Sequence, residues 1–212
     1  MTGLIIEKMI RRTTGVSIFL IFSAIIAAII LTVADEQIIV FGYTALLSIT
    51  IPTYGLLLNV QDHGNNWCKY EQVLPISKRS IILSKFACYL IDVAIAFVIA
   101  SIFSLIAYFV NASIYDLGLI DALSLLTMLF AFVSFIGGFF YGGVYMIGVG
   151  KSDIWFFISL LLAVVSTVLM AFLLHRSGVG QVPGLFIMMG IALLVLILAY
   201  VLSVYFYSKD RD

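Results

Sequence analysis

Six long apolar stretches alternate with short polar connectors along this chain, at about 15–34, 38–60, 84–110, 122–149, 154–174 and 184–207. The first, from Gly15 to Ala34, runs twenty residues without a charge, and at ~1.5 Å per residue such a run crosses the ~30 Å hydrocarbon core of a bilayer. Its apolar core is too long for a cleaved leader. The six stretches are read as transmembrane helices, and residues 1–212 as one all-α membrane domain. Ahead of them, residues 2–12 place Leu4, Ile5, Ile6, Met9 and Ile10 among Glu7, Lys8, Arg11 and Arg12. That pattern suits a short helix lying in the headgroup layer, the alternative being a frayed basic end.

The one long polar interval, residues 61–83, separates the second and third stretches. Within it Trp67, Tyr70, Glu71 and Leu74 fall at i, i+3, i+4 and i+7, the spacing that puts side chains on one face of a helix, with Asn65 or Asn66 before them as N-cap. Pro75 forbids continuation, and Ser77 is placed to cap a second helix that begins at Lys78. Running on to Val110, that helix would be ~50 Å long, more than a bilayer thickness. Its first turns, with Lys78, Arg79 and Lys85, are therefore expected to project as a stalk continuous with the third span. The pair reads either as a device for handing movement from an aqueous partner to a span or as an ordinary connector.

Composition and charge sharpen this picture. At 64% hydrophobic and 10% charged residues the chain is far from a soluble globule, whose apolar fraction is ~45–50%. The basic residues are segregated: Lys8, Arg11, Arg12, Lys69, Lys78, Arg79, Lys85, Lys151, Lys209 and Arg211 fall on one side of the six spans and only Arg176 on the other. By the positive-inside rule both termini are cytoplasmic. The outer connectors, Asp35–Gln37, Asn111–Asp121 and His175–Pro183, are too short for an external domain. Cys68 and Cys88 are expected to be free thiols, and nothing suggests nucleic-acid binding.

The chemistry on offer is sparse. His63 and His175 lie on opposite sides of this topology, without a ligand cluster, so no metal site or catalytic constellation is expected. Gly-Val-Gly-Lys-Ser before Asp153 imitates a phosphate loop, but the glycine such a loop requires falls on Tyr145, and the segment follows a membrane helix, not a strand. Asp92 is a carboxylate inside a span. It is either a proton or ion site of a stand-alone secondary transporter or channel, or an acid near a helix end that reaches headgroup water or Lys85. Gly138 and Gly142 stand in GxxxG spacing, which allows close packing against another span or a second copy of the chain. Pro52, with Thr50, Thr53 and Tyr54, predicts a kinked second span whose freed backbone groups need polar partners.

Taken together, Trp67-x-x-Tyr70-x-x-x-Leu74-Pro75-Ile76-Ser77-Lys78-Arg79-x-x-Ile82-x-x-Lys85-Phe86 resembles the signature between the second and third spans of small six-span permease subunits of ABC-2-type transporters. Gly148-Val-Gly-Lys151 resembles the weaker second signature of that family, with less basic character than expected. The resemblance implies a multi-pass subunit of a bacterial cytoplasmic membrane with no nucleotide site of its own, so not an enzyme by itself. ATP and Mg would be bound by two partner ATPase subunits, and a second permease chain, identical or related, would complete the assembly within membrane lipid. Trp67, Tyr70, Glu71, Leu74, Pro75, Ser77, Lys78 and Arg79 would then form the coupling helix and stalk, and residues 2–12 the elbow helix. Pro52, Tyr54, Asn59, Asp92, Ser159 and Ser166 come into consideration along the translocation path. The short outer loops make the chain similar to Gram-positive exporters of phenol-soluble modulins and to bacteriocin export or immunity systems. The implied cargo is an amphipathic peptide, exported or, in an immunity subunit, expelled.

Overall fold

A computed structural model of the chain describes residues 19–20, 22–30, 37–64, 77–110, 119–147 and 151–209. Helical residues 19–20 and 22–30 (α1) lie within the first apolar stretch; the rest of that stretch and the amphipathic segment 2–12 fall outside the described residues. The longer helices are α2 (Gln37–Gly64), α3 (Lys78–Val110), α4 (Leu119–Ile147), α5 (Ser152–Arg176) and α6 (Gln181–Lys209). These five are long and apolar enough to cross a membrane, and no strand occurs among the described residues.

The helix ends follow local chemistry. Ser77 Oγ accepts from the Ser80 amide at 3.3 Å and pairs with Ser80 Oγ at 2.8 Å, a side-chain cap that adds to the 2.9 Å bond from the same amide to the Ser77 carbonyl where α3 starts at Lys78. At the far end of α5, Gly178 takes φ 67°, a left-handed backbone that glycine adopts without steric penalty. The Ser177 and Gly178 amides close on the Leu173 and His175 carbonyls at 3.0 and 3.4 Å. The connector expected at His175–Pro183 is therefore only residues 177–180. Pro183 sits inside the first turn of α6, where its missing N–H leaves no intrahelical bond unmade. Residues 61–64, expected in the polar interval, continue α2, and Asp121 opens α4 instead of ending a loop. α2 runs through Pro52, beside which Thr53 Oγ1 donates to the Ile49 and Thr50 carbonyls at 2.7 and 3.1 Å.

α4 stands in the middle. It packs most extensively on α6, next on α5, and also on α2 and α3, while α2 and α3 pack extensively on each other. Of its apolar stretch 61% is buried, against 22% for α5 and for α6, whose outer faces are left for lipid or a partner. Two apolar clusters result. One joins Leu56, Ile82, Phe86, Tyr89, Phe140, Tyr141, Val144, Phe156 and Ala199 toward the Lys78 end; the other joins Val40, Tyr43, Leu47, Phe103, Ala107 and Leu126 toward the Val110 end.

Glycines on α4 set how near its neighbours come. A Cβ at Gly137 would collide with the Tyr89 ring, one at Gly143 with the Trp155 indole, and one at Gly138 would lie 2.7 Å from Val195 Cγ1. At Gly142 the nearest atom would be Ala199 Cβ, 3.9 Å away, an ordinary contact. The GxxxG face of Gly138 and Gly142 is thus turned to α6 of the same chain. The two alanine substitutions part company accordingly. Gly143→Ala is expected to lose about 1–3 kcal/mol of stability through overpacking, whereas Gly142→Ala is expected to be neutral or to gain up to about 1 kcal/mol from lower backbone entropy. Apparent melting temperatures of the two variants in one detergent check the contrast; an equal fall in both would remove the steric argument.

Candidate functional site

At hydrocarbon depth a polar group has to find its partner inside the protein. Serine and threonine hydroxyls in the spans mostly turn back on their own helix: Thr44 to the Val40 carbonyl, Ser84 to Ile81, Ser159 to Phe156 and Thr167 to Ala163, all at 2.7–2.8 Å. The longer polar side chains reach across, and three of them, Asn59, Tyr89 and Trp155, converge on α4. Asn59 of α2 donates through Nδ2 to the Tyr141 hydroxyl at 3.0 Å, and Tyr89 of α3 donates its hydroxyl to the Val133 carbonyl at 2.5 Å. Trp155 Nε1 of α5 donates to the Phe139 carbonyl at 2.7 Å, while Ser203 Oγ of α6 donates to the Ala199 carbonyl of its own helix at 2.6 Å and has the Tyr141 carbonyl as a second, longer acceptor at 3.2 Å.

Tyr141 is the node. Its hydroxyl accepts from Asn59 and lies 3.3 Å from the Lys85 carbonyl, to which it donates. Its ring packs on Phe86 with centroids 4.5 Å apart, and on Phe140 and Tyr89 at 5.4 and 5.8 Å. α2, α3 and α4 therefore meet at one side chain, and α6 reaches the backbone carbonyl of the same residue. Around it the sequence has placed several buried polar residues: Asn59 and Asp62 are each 2% exposed, and Lys85 is 3% exposed. Asn59 Nδ2 also donates to the Gly55 carbonyl at 3.0 Å, but Asn59 Oδ1 has no hydrogen-bond partner.

Burial bears on two sequence expectations. Lys85, assigned to a projecting stalk, is enclosed by the bundle, as are Ile81 and Ile82, while Ser77, Arg79 and Leu83 are exposed. Asp92, expected to reach headgroup water or Lys85, is 7% exposed, which tells against water, and is an electrostatic neighbour of Tyr89. The remaining path candidates are not brought to one surface. Pro52 and Ser159 are buried, Tyr54 and Ser166 half-buried, and Ser159 is bonded within its own helix. Two apolar grooves lie elsewhere. One of about 240 Å³ is bounded by α1, α2 and α3 and includes Leu20, Tyr43, Ile102 and Phe103; one of about 220 Å³ between α4 and α6 includes Leu123, Val182 and Phe186. Trp67, Tyr70, Glu71, Leu74 and Pro75 lie outside the described residues, as do residues 148–150; Ser77 and Arg79 are exposed and Lys78 is half-buried.

Sequence reasoning singled out Asn59 but missed Tyr89, Tyr141, Trp155 and Ser203. The available signal was the amphiphilic tip itself. A tyrosine or tryptophan in the interior of an apolar run carries a donor that must be answered, and each of these is answered across a helix interface. Among the described residues no group of three or more His, Cys, Asp or Glu side chains is gathered to hold a metal.

A family model described as ABC-2 family transporter protein matches residues 3–208, nearly the whole chain. No curated protein and no solved structure matches it. Five helices fit to cross a membrane and a match of that extent identify a multi-pass membrane protein of the kind that generally works with ABC ATPase subunits. The chain belongs to the ABC-2 family of transporter proteins.

Proposed function

We propose that this chain is the permease subunit of an ATP-driven exporter that moves amphipathic peptides or similarly apolar cargo out of a bacterial cell, hydrolysis being supplied by separate ATPase subunits. The observation that carries the reading is the family match over residues 3–208, in a chain whose polar interval holds the Trp67 to Phe86 pattern. Residues 67–79 act as the coupling element: Trp67, Tyr70, Glu71 and Leu74 seat in a groove of the ATPase, and α3 receives the movement at Lys78. Two permease chains, identical or related, face each other with two ATPases below. The apolar outer faces of α5 and α6 leave room for such a partner, and a low content of intramembrane charge suits an amphipathic cargo better than a hydrated ion. ATP and Mg belong to the partner subunits.

Co-purification of the tagged chain from its native membrane, followed by mass spectrometry, tests the assembly. A stoichiometric ATPase is the expected companion. An aromatic anchor at a partner interface contributes ~2 kcal/mol or more, so a Trp67→Ser, Leu74→Ser double variant is expected to fold and yet lose its ATPase by about thirtyfold in affinity or more. Undiminished ATPase recovery and transport with the double variant would remove the coupling assignment.

One residue supports a second reading. Asp92, a carboxylate enclosed within α3, suits an ion-coupled carrier that needs no ATPase. The two readings separate on Asp92→Asn, which keeps the shape and deletes the charge. The permease reading expects ATP-dependent transport within about twofold of the parent, measured in proteoliposomes. Ion-driven flux that disappears in Asp92→Asn, without any ATPase, would favour the carrier.

A further inference from the structure

Charge is scarce inside the bundle. Among the described residues the buried charged side chains are Asp62, Lys85 and Asp92. An ion taken out of water without a counter-ion is strongly unfavourable, so a lysine enclosed by apolar helices calls for an acid beside it. Two acids are candidates. Asp92 stands on the same helix as Lys85, about 10 Å further along its axis, where it is an electrostatic neighbour of Tyr89. Asp62 stands on α2, which packs extensively on α3.

Two observations put Asp62 at the level of Lys85. The first is the register of α2 on α3. The Tyr43 and Phe103 rings meet edge to face with centroids 4.8 Å apart. From that contact Asp62 lies about 28 Å onward along α2, and Lys85 lies about 27 Å back along α3, at ~1.5 Å per residue. The second is the Tyr141 hydroxyl, which accepts from Asn59 Nδ2 at 3.0 Å and donates to the Lys85 carbonyl at 3.3 Å. A single oxygen thus separates the Asn59 side chain from the Lys85 backbone, and the two helices run antiparallel between these contacts. Asp62 follows Asn59 at i+3, its neighbour on the helix surface.

We infer that the Asp62 carboxylate and the Lys85 ammonium form a buried ion pair that fastens α2 to α3 where the two helices meet the polar interval, and that both are positioning residues for coupling. Asp62 is in the last turn of α2 and Lys85 two turns into α3, so the pair ties together the two helix ends that flank residues 65–76. Buried neighbours at this level, Ile81, Ile82 and Phe86, are apolar. Apolar contacts between membrane helices have little preference for one register, because lipid tails are equally apolar, whereas an ion pair has one. A displacement delivered to the interval then moves α2 and α3 as one body and is not lost in sliding one along the other. That use of the pair rests on the permease reading; the pair itself does not.

Apparent melting temperatures in one detergent test the pair. Asp62→Asn keeps the shape and deletes the charge, while Asp62→Glu keeps the charge and adds a methylene. The ion pair expects Asp62→Glu to melt within a few degrees of the parent and Asp62→Asn about 10 °C lower. An acid that only fills space expects the reverse order, which overturns the pair. Lys85→Met is expected to fall about as far as Asp62→Asn, and the two together no further than either alone, since no charge is then left unanswered. Lys85→Met and Asp92→Asn are expected to add. Additive losses for Asp62→Asn with Lys85→Met, or coupling of Lys85 to Asp92 in place of Asp62, overturn the pair; if Lys85→Met does not fold, the two Asp62 variants decide alone. The positioning role is read in proteoliposomes that also hold the ATPase. The Asp62→Asn, Lys85→Met double variant is expected to keep its ATPase and lose ATP-dependent transport by about tenfold, a common size for coupling between sites. Transport at the parent level would overturn that role. Coupled losses without a recoverable ATPase would keep the ion pair and discard the permease reading, and a bound ATPase with additive losses would do the reverse.

Discussion

The central helix accepts a hydrogen bond from each of three neighbours, Asn59, Tyr89 and Trp155 donating to atoms of α4, and Ser203 of the fourth, bonded first to Ala199 of its own helix, adds a longer contact to the Tyr141 carbonyl. In water such bonds add little, because solvent replaces them. Between membrane helices, where lipid tails are as apolar as the side chains, directional bonds and close packing are what distinguish one arrangement from another. Three of these contacts sit beside a means of close approach. Gly137 admits Tyr89, Gly143 admits Trp155, and Ala199 meets Gly142 one turn before Ser203 reaches the Tyr141 carbonyl. Two glycines are thus half of two of these bonds, since a methyl group at Gly137 or Gly143 would displace the donor that has to arrive there.

This arrangement explains why the polar residues of the spans split into two populations. Short hydroxyls such as Thr44, Ser84 and Thr167 return to their own helix and are silent in the tertiary fold. Long side chains carry the tertiary information. Tyr141 carries most of it, since one phenol answers an amide of α2 and a carbonyl of α3 while its ring is gripped by Phe86. Lys85 and Asp62, buried close to where α3 begins and α2 finishes, place charge at the same end of the bundle, where the polar interval joins the spans.

The helices themselves were legible in the sequence because a run of some twenty apolar residues has few alternatives to a span. Ser77 was legible as a cap, since a serine after Pro-Ile and before a basic, then apolar, run has a local job to do. Tyr141 was not. Its partners lie 82 and 56 residues away in the chain, and no periodicity links a tyrosine in Phe-Phe-Tyr-Gly-Gly to an asparagine near the end of another helix. Spacing drew attention to Gly138 and Gly142, whereas the tightest notches are at Gly137 and Gly143, which conform to no pair motif because each is matched to a different helix. The burial of Asp92 and Lys85 was not legible for a related reason: depth in a bundle depends on which neighbours lean over a residue, and the order of apolar segments is silent on that. The aromatic face of the coupling segment remains a reading of its sequence alone.

The enclosure of α4 also bears on how the protein is made. α4 follows α2 and α3 out of the ribosome but precedes α5 and α6, which cover the faces bearing Gly138, Gly142 and Gly143. When α4 first reaches the lipid, its glycine-lined notches are bare and the Phe139 and Tyr141 carbonyls lack their visiting donors. Synthesis of α5 and α6 therefore completes the middle of the molecule, its centre being assembled last from the outside. Between those moments the half-made bundle is open along the side that α6 will close.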